Sequence, residues 1–520
     1  MNGTFWAFVP ALCAIILALI TKKVYLSLFF GILVGALFYN NGNPLEAIGT
    51  IYTIMSEKVG GNVSIIAFLI VLGILVIMMQ KSGGSLAYGN FASSKVKSKK
   101  AALCAASALG CLIFVDDYFN CLTVGSVMRP LTDKYKISHA KLAWIIDSTA
   151  APICIIAPIS SWAAAVSGEL EGNGLIVFIK TIPFNIYAII TILMVFTFCI
   201  FKLDFGKMRK DEILAEDTND LNGGIKEEIV INEEVEIKNK NPKVRDLVIP
   251  VIILILSCIG GMIYTGYCYD WESGILGSPI QSNNIIEAFS NCDAGLSLAI
   301  GSTIALIIIS IYYLIRKSLS FEDIMESIPQ GFKAMVPAIL ILTFAWCLSG
   351  VMGAKGGYLD ARSFVENTLT GINLGWLFPA IFFVLACVIA FSTGTSWGTF
   401  GILIPIATAI LGSSVTSLTL LTVSATLGGA VFGDHVSPIS DTTILASTGA
   451  NCNHLNHVRS QAPYAILVSI ISFITYLIGG LLSNLNQVLL AFILIIIAII
   501  LFVVVCIFIK YLNNRKEKTV

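Results

Sequence analysis

The sequence predicts an all-α polytopic membrane protein made of two inverted-topology repeats, and three observations carry that prediction. The chain is 56% hydrophobic and only 12% charged, against roughly 25% charged residues in a soluble domain. Its apolar residues fall in runs that reach the ~20 needed for a helix to cross a bilayer. A pattern of interrupted apolar stretches occurs twice, with basic loops placed differently around it in the two halves. A β-barrel would instead alternate apolar and polar residues over segments of ~10. The formal net charge is zero, so only the distribution of charge along the chain informs. The 13 cysteines lie mostly inside apolar runs, without CxxC or metal-ligand spacing, and read as small buried hydrophobes.

In the first half, spans are expected over 4–21, 24–39, 62–80, 142–166 and 184–201. Residues 4–21 read as a spanning helix and not as a leader, because no cleavage pattern accompanies them. KSGGSLAYGNFASSKVKSKK is a polar, basic loop, and RPLTDKYKISHAK is basic again. Between them, 101–128 is apolar but broken at Asp116 and Asp117, leaving two arms too short to cross separately. This predicts a re-entrant hairpin with both ends on one side, and the positive-inside rule makes that side cytoplasmic. Residues 202–246 hold nine Lys/Arg and twelve Asp/Glu, and read as a cytoplasmic charged linker, partly disordered and solvated. The second half offers 247–267, 294–315, 335–352, a hairpin at about 374–411, a broken helix at about 418–448, and 463–482. A last helix, 487–509, ends in the basic tail KYLNNRKEK.

The halves match. Phe114 to Pro130 resembles Phe391 to Pro405, and APISSW at Ala157 aligns with SPISDT at Ser437, an offset of 280 residues. The amphipathic connectors NPLEAIGTIYTIM and SFEDIMESIPQGF also correspond. The loop 81–100 carries five lysines, whereas its counterpart 355–373 carries only Lys355 and Arg362, and 268–293 has no Lys or Arg. The N-terminus is therefore expected outside and the C-terminus in the cytoplasm. The expected organisation is a first repeat at 1–201, the linker at 202–246, a second repeat at 247–482, and an extra helix with tail at 483–520. Each repeat holds about five crossings, one hairpin and one unwound helix. Inverted repeats with interrupted helices near the midplane are the architecture of many secondary transporters.

The chemistry should sit at the interruptions. An ionised carboxylate in hydrocarbon is costly unless it faces protein, water or a cation. Asp116, Asp117, Asn120 and Thr123 stand at the first hairpin break, where freed carbonyls can also act. These oxygens suit a hard cation such as Na⁺. Two adjacent carboxylates do not both stay ionised in a low dielectric without a cation, so cation and proton compete. One of the pair could instead cap the next helix. Asp147, Ser160 and Ser161 lie on a helix interrupted by Pro152 and Pro158, each of which removes a backbone donor. Asp147 is a weaker candidate, because it lies early in that helix and could serve as a cap. In the second half, Thr393, Thr395, Asp434, His435, Ser440, Asp441 and Thr442 form the mirror set. Asp441 matches Ser161 and ranks with Asp116 and Asp117. His435 is a group that can titrate near neutral pH. Phe391 to Gly398 lacks the GK[ST] ending of a phosphate loop, and Asp434, His435 and Ser437 lack a nucleophile elbow. Nucleotide binding and hydrolysis are therefore set aside. His454 and His457 read as part of a solvated cytoplasmic loop, and Trp162 and Trp397 as packing beside the breaks.

FVDDYFNCLTVGSVMRPLTD, IIDSTAAPICIIAPISSWAA and GGAVFGDHVSPISDTTILAS resemble the hallmark stretches of the NhaC family of Na⁺/H⁺ antiporters, and the resemblance runs from about residue 60 to 480. It implies sodium efflux against proton entry by alternating access in a bacterial cytoplasmic membrane, with Na⁺ and H⁺ as transported ions and no cofactor or enzymatic step. It also implies a homodimer through the outer helices. Relatives that couple ions to malate, lactate or amino acids share these motifs, so a sodium- or proton-coupled carrier of a small carboxylate or amino acid is the alternative. The expected partners are the bilayer and a small cation or organic solute, not nucleic acid. Cation and proton are expected at Asp116, Asp117, Asn120, Thr123 and Asp441, with Na⁺ held by the three aspartates. The other residues named are expected to support the site or contact substrate.

Overall fold

The computed structural model describes residues 4–21, 23–170, 174–224, 236–270, 275–276, 288, 292–352, 358–360, 375–412, 415–438 and 440–517. The first half contains helices α1 (Val9–Thr21), α2 (Val24–Tyr39), α3 (Pro44–Gly61), α4 (Val63–Ser82), α5 (Gly84–Lys95), α6 (Lys99–Leu112), α7 (Asp117–Lys134), α8 (His139–Thr149), α9 (Ala151–Cys154), α10 (Ser161–Glu169), α11 (Gly174–Thr181) and α12 (Ile186–Phe201). A helix α13 (Gly206–Thr218) follows in the linker. The second half contains α14 (Arg245–Cys268), α15 (Ala294–Ile315), α16 (Phe321–Met352), α17 (Phe378–Thr393), α18 (Ser396–Leu411), α19 (Ser417–Val436), α20 (Asp441–Gly449), α21 (His454–Leu481) and α22 (Gln487–Glu517). A two-residue antiparallel pair, Tyr269↔Leu276 and Asp270↔Ile275, is the extended structure among the described residues.

Eight described helices are long and apolar enough to cross a membrane, or nine with the bent pair Tyr25–Tyr39 and Pro44–Gly61. That bend is 117°. Asn43 explains it: its side chain caps α3, and Pro44 opens the new helix. The chain therefore restarts in a new direction. α19 is the hub, with 89% of its spanning window buried, against 28% for α22. α22 shows Val488, Phe492, Ile496 and Ile500 on its outer face, as a helix facing lipid tails should. Small residues set the close crossings, as is usual between spanning helices. A Cβ on Gly73 of α4 would meet the Gly331 carbonyl oxygen of α16 at 2.4 Å.

The two stretches expected as hairpins are helix pairs with short breaks, α6/α7 and α17/α18, and α17 with the turn before it, Gly375–Thr393, is by itself long and apolar enough to cross a membrane. Both interrupted helices are present too, α8–α10 and α19/α20. Three expectations are corrected. The basic stretch after residue 80 contains the helix α5 and is not wholly loop. The connector SFEDIMESIPQGF is the first part of the 32-residue α16. The first part of the acidic linker is not a bare spacer, because α13 buries Met208, Asp211, Glu212 and Ala215; residues 225–235 lie outside the described residues.

Charge pairing explains why that linker folds onto the bundle. Glu212 accepts from Ser138 N at 2.8 Å and from Ser138 Oγ at 2.7 Å. Lys99 pairs with Glu212 at 2.7 Å and Glu216 at 2.8 Å. Asp204 pairs with buried Lys141, whose ammonium lies 4.4 Å from the Trp144 ring centre. At the other end, Asp246 accepts from Arg316 Nη2 at 2.9 Å.

His139 sits where this linker, α7 and α20 meet. Its Nδ1 lies 2.7 Å from Asn222 Oδ1 and 2.9 Å from Asn451 O, and its Nε2 lies 3.1 Å from Asp133 Oδ1. Acceptors face both ring nitrogens, so the imidazolium fits best. Burial pulls its pKa down, but Asp133, Asn222 and the Asn451 carbonyl together hold it above the ordinary 6.5. A group raised on folding lends stability that is complete below its unfolded pKa and lost as pH climbs through the folded one. Protection of 206–224 from hydrogen exchange should be greatest on the acid side of 6.5 and fall as pH rises past the raised value. His139→Gln should flatten that dependence, and equal pH dependence in both proteins would sink the idea.

Candidate functional site

The first break is stitched by side chains. α6 ends at Leu112 and α7 begins at Asp117, so the turn between them would leave bare carbonyls. Asn120 supplies donors: its Nδ2 reaches Gly110 O at 2.7 Å, Ile113 O at 2.9 Å and Thr149 O at 2.9 Å. The tip is also tied to the interrupted helix. Ser161 N donates to Val115 O at 2.9 Å, and Cys154 Sγ lies 3.2 Å from Phe114 O. Trp162 Nε1 donates to Asp117 Oδ2 at 3.0 Å, and Asp117 Oδ1 accepts from Tyr118 N. Asp116, Asp117, Asn120 and Thr123 are all buried. Asn120 thus braces the break with its amide, leaving Oδ1 as its spare ligand. That Oδ1, Ser161 Oγ and Trp397 Nε1 are buried with no hydrogen bond among the described residues.

The second break gathers around Asp434. Ser440 Oγ donates to its Oδ1 at 2.6 Å. Ser396 Oγ and Thr442 Oγ1 donate to its Oδ2 at 3.0 and 3.1 Å. The carboxylate therefore joins α19 to the first turns of α18 and α20. Ser440 also caps α20 by accepting from Thr443 N, as Thr395 caps α18 and Ser160 caps α10. Thr393 donates to Ile389 O within its own helix. Thr393, Thr395 and Ser160 are thus committed locally. The side chain of Asp441, ranked highest in this half from the sequence, lies outside the described residues.

The two breaks meet. Trp162 and Trp397 pack with ring centres 5.9 Å apart, and Trp162 lies 5.2 Å from Phe400. On the opposite pairing, α7 touches α20 through glycines: a Cβ on Gly125 would fall 2.4 Å from the Gly449 carbonyl carbon. Cys121 of α7 lies within electrostatic reach of Asp147, Asp117 and Asp434.

Asp147 is not a cap at an interface. It is fully buried, and its Oδ2 accepts from Gln461 Nε2 at 2.6 Å and lies 3.3 Å from His457 Nε2. His457 belongs to α21 and is buried, so the expected solvated loop around it is a correction. His435 Nε2 faces Asp147 O at 3.2 Å, so this nitrogen is the donor. His435 Nδ1 then accepts from Tyr187 OH at 2.9 Å. A neutral His435 with its proton on Nε2 satisfies both contacts. The sequence did carry a signal for this network. His457, Ser460, Gln461 and Tyr464 lie at helical spacing on one face of α21. Ser460 contacts Asp211, and Tyr464 contacts Asp204.

Buried carboxylates at the breaks of interrupted helices, inside a bundle of spanning helices, are the marks of a secondary transporter. The chain belongs to the Na⁺/H⁺ antiporter family, whose family model matches residues 163–481. That match includes the Asp434 centre and begins just after Trp162. A Haemophilus influenzae protein without an assigned function is 36% identical over 92% of this chain and 91% of its own length. The malate-2H⁺/Na⁺-lactate antiporter of Bacillus subtilis is 33% identical over 32% of this chain and 34% of its own. The arginine/ornithine antiporter ArcD of Halobacterium salinarum is 40% identical over 32% of each chain.

Proposed function

We propose that this protein exchanges Na⁺ for H⁺ across a bacterial inner membrane by alternating access. The observation that carries the reading is the pairing of two carboxylate centres, Asp116 with Asp117 and Asp434 with its three hydroxyls, at helix breaks packed against each other. Asp116, Asp117 and Asp441 would exchange cation for proton, and Asn120 Oδ1, Thr123 and Ser161 Oγ would add neutral oxygens. Thr393, Thr395, Ser440 and Thr442 would hold the breaks in shape. Two carboxylates in a low dielectric favour taking up a proton when a cation leaves, which couples the two ions without any covalent step. A rigid shift of the hairpin-bearing part against the outer helices would alternate access. The inverted repeats, the external N-terminus, the cytoplasmic C-terminus and a homodimer through the outer helices belong to the same proposal.

A second reading is exchange of a small carboxylate or amino acid. It is favoured by the N-termini of α10 and α20, which begin at the breaks. Such helix ends attract carboxylate groups. Two related antiporters with organic substrates add to it.

Liposomes holding the purified protein and an internal pH dye separate the readings. Addition of Na⁺ alone should move protons, and Asp117→Asn should abolish the movement while Trp162 packing preserves the fold. Na⁺-driven uptake of labelled malate, lactate or arginine, with no pH change from Na⁺ alone, would overturn the first reading in favour of the second.

A further inference from the structure

A second buried carboxylate stands apart from the centre. Glu169 ends α10 and is 7% exposed. Neither of its carboxylate oxygens has a hydrogen bond among the described residues. The neighbouring Trp346 Nε1, on α16, is also buried without one. A Cβ on Gly168 would lie 3.0 Å from that Nε1 and 3.1 Å from Ile65 Cδ1, near the start of α4. Lys58 of α3 is the charged group that acts on Glu169. Its stem runs along Gly350, one turn beyond Trp346, where a Cβ would meet Lys58 Cε at 3.1 Å. Lys58 itself is exposed. Trp346 thus packs beside the Glu169 end of α10, and Lys58 packs one turn further along α16 at the surface.

The elements packed on α10 bring few titratable groups. They are α4, α9, α11, α15, α16 and α18, and among described residues none of them contributes a charge that acts on Glu169. Cys347 of α16, beside Trp346, lies within reach of Lys58. Glu169 is seven residues from Trp162 on the same helix face, about 10 Å along the axis. Trp162 holds Asp117 at the other end of α10. One short helix therefore links this carboxylate to the break before α7, and Gly168 packs on Ile65 at the start of α4, whose other end, Ser82, leads into the lysine-rich stretch.

We propose that Glu169 is an outer proton-binding site, through which protons reach the Asp117 centre from the mouth opposite the basic loops. This rests on the Na⁺/H⁺ reading above. A carboxylate cannot stay ionised in apolar surroundings without a partner, so it must take a ligand. Among the described residues, the one charge that acts on Glu169 is the Lys58 ammonium, which repels a metal cation and offers it no lone pair. A proton is the ligand that fits: the carboxylate takes one from water at the mouth, becomes the neutral acid, and gives it up inward when a tip carboxylate has lost its cation. Glu169 then returns to the carboxylate and is refilled from outside.

The test has two arms on the full chain. In nanodiscs, a hydrophobic carbodiimide reacts with protonated carboxyl groups in apolar settings, and mass spectrometry locates the adduct. Glu169 should be labelled, and less so as pH rises. In liposomes, Glu169→Gln should slow Na⁺-driven proton movement about tenfold or more and flatten its pH profile. Glu169→Asp should retain exchange with a shifted profile. An unlabelled Glu169, or a Gln variant with the rate and profile of the parent, overturns the proposal. If the parent moves no protons with Na⁺, the exchange reading fails, while labelling of Glu169 and its pH dependence still decide the proton site. Labelling likewise decides it if the Gln variant does not fold.

Discussion

Asp434→Asn is expected to raise the half-saturating Na⁺ concentration of exchange by about 10- to 100-fold, the usual cost of removing a group that orients metal ligands. The reason lies in the three hydroxyls of Ser396, Ser440 and Thr442. All of them give their protons to Asp434, so their lone pairs are turned away from it, and that of Ser440 caps α20. An asparagine accepts on one oxygen only, and its amide N–H₂ would confront at least one hydroxyl donor. That hydroxyl must turn, and the N-cap at Ser440 is disturbed with it. Ser396→Ala removes one donor of three and should have a smaller effect. Na⁺ titrations of both variants in liposomes check this. Equal Na⁺ dependence in the parent and Asp434→Asn would remove Asp434 from the cation's surroundings.

Gln461→Leu should cost about 1.5–3 kcal/mol of stability, the usual worth of a hydrogen bond to a charged group. It takes away the shortest bond to Asp147 Oδ2 and the donor to His435 O together. Asp147 would keep only the 3.3 Å contact to His457. Its Oδ1 has no hydrogen bond among the described residues, so nothing else compensates. Asp147→Asn, in contrast, removes the charge while keeping an oxygen for Gln461, and should melt close to the parent. Thermal unfolding in detergent gives both answers. If both variants melt alike, Asp147 is not held as an ion. If Asp147→Asn is stable but inactive, Asp147 joins the transport centre.

The class of this protein and the places where its helices break were legible in the chain. Composition and run length demand spanning helices, because the bilayer leaves the backbone no other partner. Asp116–Asp117, Pro152, Pro158 and the SPIS stretch mark breaks by local chemistry that needs no tertiary context. Helix caps such as Ser440 and Thr395 are equally local. What the chain could not say was which polar groups meet. Asp147 looked like a cap near an interface until folding brought α21 across it. His457 and Gln461 lie more than 300 residues away from it in sequence, and no periodicity within either segment names the other. The start of the linker tells the same story, since Asp204 and Glu212 read as solvated until Lys99, Lys141 and Ser138 are placed opposite them. Glu169 is the extreme case. Its sequence neighbours EGN mark a polar helix end, and only the packing of α16 against α10 makes it a buried acid. Breaks and spans follow from each residue's own demand for backbone partners or lipid. Pairings depend on loops that bring distant helices together, and those were decided in three dimensions.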